Sequence, residues 1–389
     1  MIKQIVFLVI SPFNLRDYQR FGIELLEQNG FDVEVWDLTN ILYPNLAKNY
    51  SPPDSIDWSG CKIFNDKNHA LNKLRNLRPD TFIILLFHYN PGSYFIYKAI
   101  SDNNAKYATF MANALPFVEN NNKLQSFLFK FKGLRKEPMK KLINYVFRKA
   151  PFYCLGIKPV RLILAGGKES LKYPEPINGT TETLWAHTLD YDLYLEERNA
   201  HSAEQPIAVF IDEYVPFHPD HIYMGIKPPI SARRYYPLLN KFFKLIEDQL
   251  GFEVIIAAHP RSHYKSQPDC FQGRTWIRGQ TARLVKENRL VLTHSSTAVN
   301  FVNLFYKPVI FLTSYEMDKS SQGPLIRAMA KCYGKKPIFM DEDSNLDWES
   351  ELRVNRFHYD NYREAYIKRE GSEDLPFWQI VANRLKQGF

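Results

Sequence analysis

Three short polar segments in the C-terminal half each follow an apolar run that predicts a buried strand. Asp212 and Glu213 close the first run in "VFIDEY", His259 follows the second in "VIIAAHPR", and "HSST" at residues 294–297 follows "RLVL". The carboxyl ends of parallel strands lie at one edge of an open sheet, where ligands bind. We therefore expect these polar groups to meet in one site.

The third segment predicts an anion site. Ser295, Ser296 and Thr297 open a predicted helix, "TAVNFVNLFY". Hydroxyl side chains cap helix starts, and the N–H groups and dipole of a helix start favour a phosphate. These residues could instead do no more than cap their helix. The nearby His-Pro pair favours phosphate binding.

The second segment, His259-Pro260-Arg261, supplies hydrogen-bond donors. The imidazole of His259 could neutralise a departing phosphate and act as a general acid. Pro260 stiffens the strand exit, and Arg261 adds positive charge. The alternative is a structural histidine whose hydrogen bonds are satisfied within the fold.

The carboxylates of Asp212 and Glu213 are the best-placed candidates for a general base toward a sugar hydroxyl. Which of the two would act is open, because a loop carboxylate also commonly caps a backbone amide. Asp190-Tyr191-Asp192 has the form of a metal-binding DxD motif, but such short motifs recur by chance. We expect no metal and no cofactor.

Other nucleotide-binding classes have no support in the sequence. It contains neither GxGxxG nor a P-loop, which disfavours dinucleotide and Walker-type ATP binding. No nucleic-acid-binding motif is recognised, so we expect no nucleic-acid partner.

Two series of alternating strands and helices must position these residues. Apolar runs at residues 5–10, 31–38, 80–89 and 105–116 form the first series, and a second series begins near residue 206. Continuous apolar runs are typical of parallel strands covered on both faces. We predict an α/β fold with two Rossmann-like domains, at residues 1–200 and 201–360. A C-terminal helix within 361–389 would pack back on the first domain.

The bulk composition favours a soluble protein with anionic partners. The 389 residues carry a formal net charge of +8, and the four cysteines form no CxxC, which fits a reducing compartment. Residues 120–160 are basic and aromatic, and predict either a solvated helical insertion or a surface that contacts anionic lipid. We expect a cytoplasmic protein, and the second interpretation would place it peripherally on the inner face of the inner membrane.

The order of these segments over residues 206–315 resembles bacterial GT-B sialyltransferase-like glycosyltransferases. The acidic pair Asp212-Glu213, then His259-Pro260, then the Ser-Ser-Thr of residues 295–297 carry the resemblance. Such enzymes use CMP-activated nonulosonic acids or CMP-Kdo in surface-polysaccharide biosynthesis. Their first motif usually continues with glycine, whereas Tyr214 stands here.

The resemblance implies two domains facing across a cleft, with the donor on the C-terminal domain and the acceptor on the N-terminal one. Asp212, or Glu213, would be the base, and His259 would assist departure of CMP. Ser295, Ser296 and Thr297 would hold its phosphate. Because CMP has a single phosphate, positioned donors can replace a divalent cation.

The expected function is therefore inverting, metal-independent transfer of a nonulosonic acid of the sialic, legionaminic or pseudaminic type. The donor would be a CMP-activated acidic sugar, and the acceptor a hydroxyl of a lipid-linked glycan for lipopolysaccharide or capsule. One alternative is the same fold with another donor: CMP-Kdo, a UDP- or GDP-sugar, or a CDP-polyol. Another is a non-catalytic, membrane-associated glycan assembly protein.

Overall fold

The protein folds around two parallel β-sheets. The computed structural model describes residues 1–116, 147, 150–172, 175–266, 269–342 and 345–388. The first sheet has the order β3-β2-β1-β4-β5-β6-β7. Its strands are β1 (Gln4–Val9), β2 (Asp32–Asp37), β3 (Cys61–Ile63), β4 (Thr81–Leu85), β5 (Lys106–Phe110), β6 (Leu162–Ala165) and β7 (Glu182–Trp185).

The second sheet has six strands in the order β10-β9-β8-β11-β12-β13. They are β8 (Gln205–Ile211), β9 (Glu253–Ala258), β10 (Trp276–Arg278), β11 (Asn288–Thr293), β12 (Val309–Thr313) and β13 (Ile338–Phe339). The inner strands are buried over most of their length because helices cover both faces of each sheet. The predicted pair of Rossmann-like sheets is confirmed.

Helices join and cover the strands. In the first half they are Leu15–Arg20, Ile23–Gln28, Thr39–Leu42, Pro44–Asn49, Lys67–Arg75, Tyr94–Asp102 and Leu189–Glu197. In the second half they are Asp220–Met224, Ala232–Leu250, Thr281–Glu287, Val299–Leu304, Tyr315–Lys319, Gly323–Cys332, Trp348–Glu351, Arg356–Tyr362 and Phe377–Lys386. Short 3-10 turns lie at Phe152–Leu155, Lys168–Lys172, Val215–Phe217 and Tyr264–Ser266, and a π-helical turn at Arg363–Ile367.

The last helix, Phe377–Lys386, crosses back to the first sheet, as predicted. Trp378 packs edge-on against Phe7 of β1, with 5.0 Å between ring centres. Its indole N–H donates to the carbonyl oxygen of Arg20 at 2.7 Å. The C-terminal segment thus ties the two sheets together, while the domain boundaries near residues 200 and 360 stay predictions.

The returning chain passes close to Gly167, which follows β6. A Cβ at Gly167 would lie 2.3 Å from the carbonyl carbon of Ala365, closer than real contacts permit. The π-helical turn that contains Ala365 ends at Ile367, which is buried in the core of the second sheet. A residue without a side chain is therefore needed where this turn meets the first sheet.

The basic segment predicted at residues 120–160 falls largely outside the described residues. Of it, the structure describes Phe147 and residues 150–160, which include the turn Phe152–Leu155. Within the described parts of the chain, none of the helices has the length and apolar character required to cross a bilayer.

Candidate functional site

Asp212 organises the loop that carries His259. The residue follows β8, and its side chain is only 2% exposed. One carboxylate oxygen accepts the backbone N–H of Tyr214 at 2.8 Å, and the other accepts the N–H of His259 at 3.1 Å. The hydroxyl of Tyr264 donates to the second oxygen at 2.9 Å. Burial raises the pKa of Asp212 to about 6, against the opposing effect of these hydrogen bonds.

Glu213 holds the segment that follows β11 in the same way. Its Oε1 accepts the N–H groups of His294 at 3.0 Å and of Ser295 at 2.6 Å. The Ser295 hydroxyl donates to Oε2 at 3.1 Å. The two adjacent carboxylates therefore fasten the ends of β9 and β11 to the end of β8.

These contacts change the expectation for the Ser-Ser-Thr segment. The backbone donors predicted to hold a phosphate bind the carboxylate of Glu213, and Ser295 is only 7% exposed. Ser296 is half-buried, with its hydroxyl oxygen 3.2 Å from the N–H of Ala298, and Thr297 is exposed. The helix that follows, Val299–Leu304, has only six residues. A phosphate role for these residues stays a prediction.

The hydrogen bonds of His259 define which of its ring nitrogens carries the proton. Its Nδ1 accepts the backbone N–H of Arg261 at 3.1 Å, so the neutral ring carries its proton on Nε2. Burial, together with the nearby His218 and arginines, holds the pKa of His259 well below its usual range. The side chain is therefore a neutral hydrogen-bond donor at pH 7.

A second histidine, His218, stands beside His259, with 4.8 Å between the ring centres. Its Nδ1 accepts the N–H of Asp220 at 3.2 Å, which also places the proton on Nε2. Burial lowers its pKa as well. His218 belongs to the sequence HPDH, which is not a typical zinc-binding helix motif, and it was not predicted as a site residue. Its closeness to His259 depends on how the loop after β8 folds.

Arginine side chains from both halves of the chain meet at this edge. Arg16, just after β1, and Arg261, just after β9, line one narrow crevice between the two sheets. The lining residues are Asn14, Arg16, Tyr50, Pro53, Asp54, Pro260 and Arg261. Burial, together with Arg20, lowers the pKa of Arg16 to about 10. Both guanidinium groups already lie near carboxylates: Arg261 pairs with Asp220 at 3.2 Å, and Arg16 lies 3.9 Å from Asp17. An anionic ligand would therefore have to share or displace these partners.

The crevice is nearly closed in this conformation. Its volume is about 10 Å³, enough for one water molecule. An ion pair between Arg278, in β10, and Asp54 bridges it at 3.1 Å. A nucleotide would need a space of several hundred Å³. Ligand entry would therefore require the two facing edges to separate.

The carboxylates of the DxD sequence hold the two halves of the chain together. Asp190 accepts hydrogen bonds from Arg20 at 3.2 Å and from Asn300 at 3.0 Å. Asp192 accepts the N–H of Phe377 at 2.8 Å, and burial raises its pKa to about 6. Neither here nor anywhere else in the described residues is a group of three or more His, Cys, Asp or Glu side chains arranged to hold a metal ion.

The chain matches no known family model and no curated protein. Among solved structures it is similar to CalG4, the calicheamicin glycosyltransferase, with a TM-score of 0.54 and 9% identity over 100% of this chain and 98% of that one. It also matches MurG of Acinetobacter baumannii, with a TM-score of 0.46 and 11% identity over 99% of both chains. A UDP-GlcNAc 2-epimerase of Neisseria meningitidis bound to UDP-GlcNAc matches with a TM-score of 0.48 and 12% identity, over 99% of this chain and 100% of that one.

The similarity to CalG4 extends over both sheets. It shows that the chain has the GT-B fold, in which two Rossmann-like domains face each other. At this identity the similarity defines the fold alone.

Proposed function

We propose that the protein is a GT-B glycosyltransferase that transfers a sugar from a nucleotide-activated donor to an acceptor hydroxyl. The observation that carries the proposal is the set of hydrogen-bond donors at the carboxyl edge of the second sheet. His259 and Arg261 lie there beside His218, and Arg16 of the first domain lines the same crevice. The GT-B fold supports the reaction class, because the site lies at the carboxyl ends of β8 and β9, where ligands bind in open α/β sheets.

The chemistry required at this edge is stabilisation of a departing phosphate. As the bond to the sugar breaks, negative charge grows on the phosphate oxygen, and donors aimed at it lower the barrier. His259 would donate through Nε2, and Arg261 would supply positive charge. Because burial keeps His259 neutral, we assign it hydrogen-bond donation to the phosphate, and proton transfer only after a bound anion has raised its pKa.

We assign Asp212 and Glu213 a positioning role. Both carboxylates accept hydrogen bonds from neighbouring loops, and Asp212 is almost fully buried. A general base must reach the acceptor hydroxyl directly or through one water. For Asp212 to act as the base, the hydrogen bonds that hold His259 and Tyr264 would have to break. Ser296 and Thr297 stay candidates for contact with the phosphate.

The donor that we propose carries two negative charges. A UDP- or GDP-sugar has a diphosphate, and a CMP-nonulosonic acid has one phosphodiester and one carboxylate. Either would suit a crevice lined by Arg16 and Arg261. The fold supports the wider class of nucleotide-activated donors, of which CMP-nonulosonic acids are one member. A lipid-linked surface glycan as acceptor, and a peripheral position on the membrane, remain part of the proposal.

A nucleotide panel tests the proposal. The thermal unfolding of the protein would be followed with CMP, CDP, UDP and GDP, each over a range of concentrations. A nucleotide at about 100 times its Kd should stabilise the fold by about 2.7 kcal/mol. Stabilisation by UDP or GDP alone would exclude the CMP donor, and stabilisation by CMP would support it. If no nucleotide raises the unfolding temperature, the proposed function is wrong.

A further inference from the structure

A second histidine-containing pair lies at the carboxyl edge of the first sheet. His88 follows β4, and its Nδ1 lies 2.8 Å from Oε1 of Glu175. The His88 side chain is 47% exposed, whereas the Glu175 side chain is 0% exposed. A buried carboxylate thus supports an imidazole that reaches solvent.

The carboxylate of Glu175 is fixed from several sides. Oε1 also accepts the backbone N–H of Tyr89 at 3.3 Å, and the hydroxyl of Tyr97 donates to Oε2 at 3.2 Å. A carboxylate held in this way orients the histidine bonded to it and stabilises an imidazolium. With Nδ1–H donated to Glu175, the lone pair of the neutral ring lies on Nε2.

The backbone at His88 is held as firmly as its side chain. The His88 carbonyl oxygen accepts the side-chain amide of Asn90 at 2.9 Å and the hydroxyl of Ser93 at 3.0 Å. Asn90 in turn accepts the N–H of Gly92 at 2.8 Å. Such supporting contacts keep a reactive group in one geometry before the substrate binds.

We propose that His88, oriented by Glu175, is the general base that activates the acceptor hydroxyl; this assignment rests on the proposed function. Nε2 of His88 takes the proton of the hydroxyl as the acceptor oxygen bonds to the anomeric carbon. The bond between that carbon and the donor phosphate oxygen breaks, and its electron pair stays on the phosphate. The imidazolium that forms is paired with Glu175.

The position of His88 in the fold suits this role. β4 lies beside β1, with Leu85 opposite Leu8 in the parallel register. The exit of β1 carries Arg16, which lines the crevice shared with Arg261. The pair therefore lies at the edge of the first sheet from which Arg16 also extends, and the proposed donor groups lie on the other sheet. An acceptor between the two edges would have a base on one side and the leaving phosphate on the other.

Steady-state transfer kinetics of three variants test the assignment. His88→Ala should lower kcat about 100-fold or more, the usual contribution of a general base, and leave KM for the donor within about threefold. Added imidazole should restore part of the lost rate, which loss of a merely structural contact would not allow. Glu175→Gln should lower kcat with KM for the donor similarly unchanged, because it removes the orienting charge. His69→Ala, at an exposed histidine of the same domain, should behave as wild type.

The outcomes separate the two proposals. If wild type transfers sugar and His88→Ala retains kcat within about twofold, the base assignment is wrong and the proposed function stands. A loss of kcat without imidazole rescue, accompanied by a lower unfolding temperature, would show that the pair acts only in stability. If the wild-type protein neither binds a nucleotide nor transfers a sugar, the proposed function fails and the base assignment fails with it.

Discussion

The carboxyl edges of the two sheets use acidic residues in the same way but present different groups to the space between them. In the second sheet, Asp212 and Glu213 turn inward and bind loop N–H groups, next to His259 and Arg261. In the first sheet, Glu175 is buried and binds the half-exposed His88. One edge thus carries a neutral histidine and an arginine, and the other holds a histidine paired with a carboxylate.

This difference indicates that the two edges have different chemical roles. Histidine and arginine donors stabilise negative charge on a leaving group, whereas an imidazole paired with a carboxylate accepts a proton. In both edges the buried carboxylates position other groups, and the more exposed side chains are histidine and arginine. The comparison therefore directs attention to the histidines, although the sequence motifs pointed first to the acidic pair.

The largest effect should come from the carboxyl edge of the second sheet. His259→Ala should reduce transfer about 1000-fold, because it removes the donor aimed at the leaving phosphate. Circular dichroism and thermal unfolding should remain close to wild type. The matched control is His201→Ala, at an exposed histidine in the segment before β8. Activity near wild type in the His259 variant would remove His259 from the site.

The returning C-terminal segment holds the two sheets in their relative position. A substitution at Gly167 tests how closely this segment packs against the first sheet. Gly167→Ala should lower the free energy of unfolding by about 2 to 3 kcal/mol, because the added methyl group would meet the backbone of Ala365. Gly179→Ala is the control, since a Cβ there meets no atom within 4 Å. Urea denaturation of both variants measures the difference. Equal stability would show that the returning segment does not pack as described.

Substitution of Glu213 tests whether Asp212 and Glu213 hold neighbouring loops in place rather than react with the substrate. Glu213→Ala should destabilise the fold by about 2 kcal/mol, because the N–H groups of His294 and Ser295 lose their acceptor. Glu213→Gln should recover most of that loss, since its amide oxygen can still accept both N–H groups. Chemical denaturation and transfer assays on the two variants provide the measurement. An inactive but fully stable Glu213→Gln would instead support the base role that the sequence resemblance implies.

The smallest expected effect concerns the contribution of the first domain to donor binding. Arg16→Gln should weaken nucleotide binding about tenfold, equivalent to about 1.4 kcal/mol, and should reduce its dependence on salt. Arg78→Gln is a suitable control, because Arg78 lies before β4, at the opposite edge of the same sheet. Isothermal titration at two salt concentrations gives both quantities. Unchanged affinity would confine the donor site to the second domain.

Much of the fold could be predicted from the sequence because the inner strands are continuous apolar runs. The strands that were not predicted are short or partly exposed: β3, β7 and β10 lie at sheet edges, and β6 follows the basic segment. The helix Leu189–Glu197 was not predicted either, since its sequence offers no clear amphipathic spacing. Hydrophobic patterning therefore identifies the centre of each sheet more readily than its edges.

The candidate site could be predicted only in part. The place of His259 and Arg261 in the site could be predicted, because ligands of open α/β sheets bind at the carboxyl ends of the strands. The partners of Glu213 could not be predicted, because its bonds join residues about 80 positions apart. Arg16 lies in the helix Leu15–Arg20, and His88 and Glu175 lie in loops that only the folded chain brings together. None of them carries a local motif that would have identified it.

The most direct test of the central claim is a crystal structure of the protein with a bound nucleotide, obtained with UDP and with CMP. We predict that a phosphate oxygen lies about 3 Å from Nε2 of His259. The same phosphate group should contact Arg261, with the crevice opened between Arg261 and Arg16. A nucleotide bound elsewhere, with His259 and Arg261 still closed against the first domain, would contradict the account.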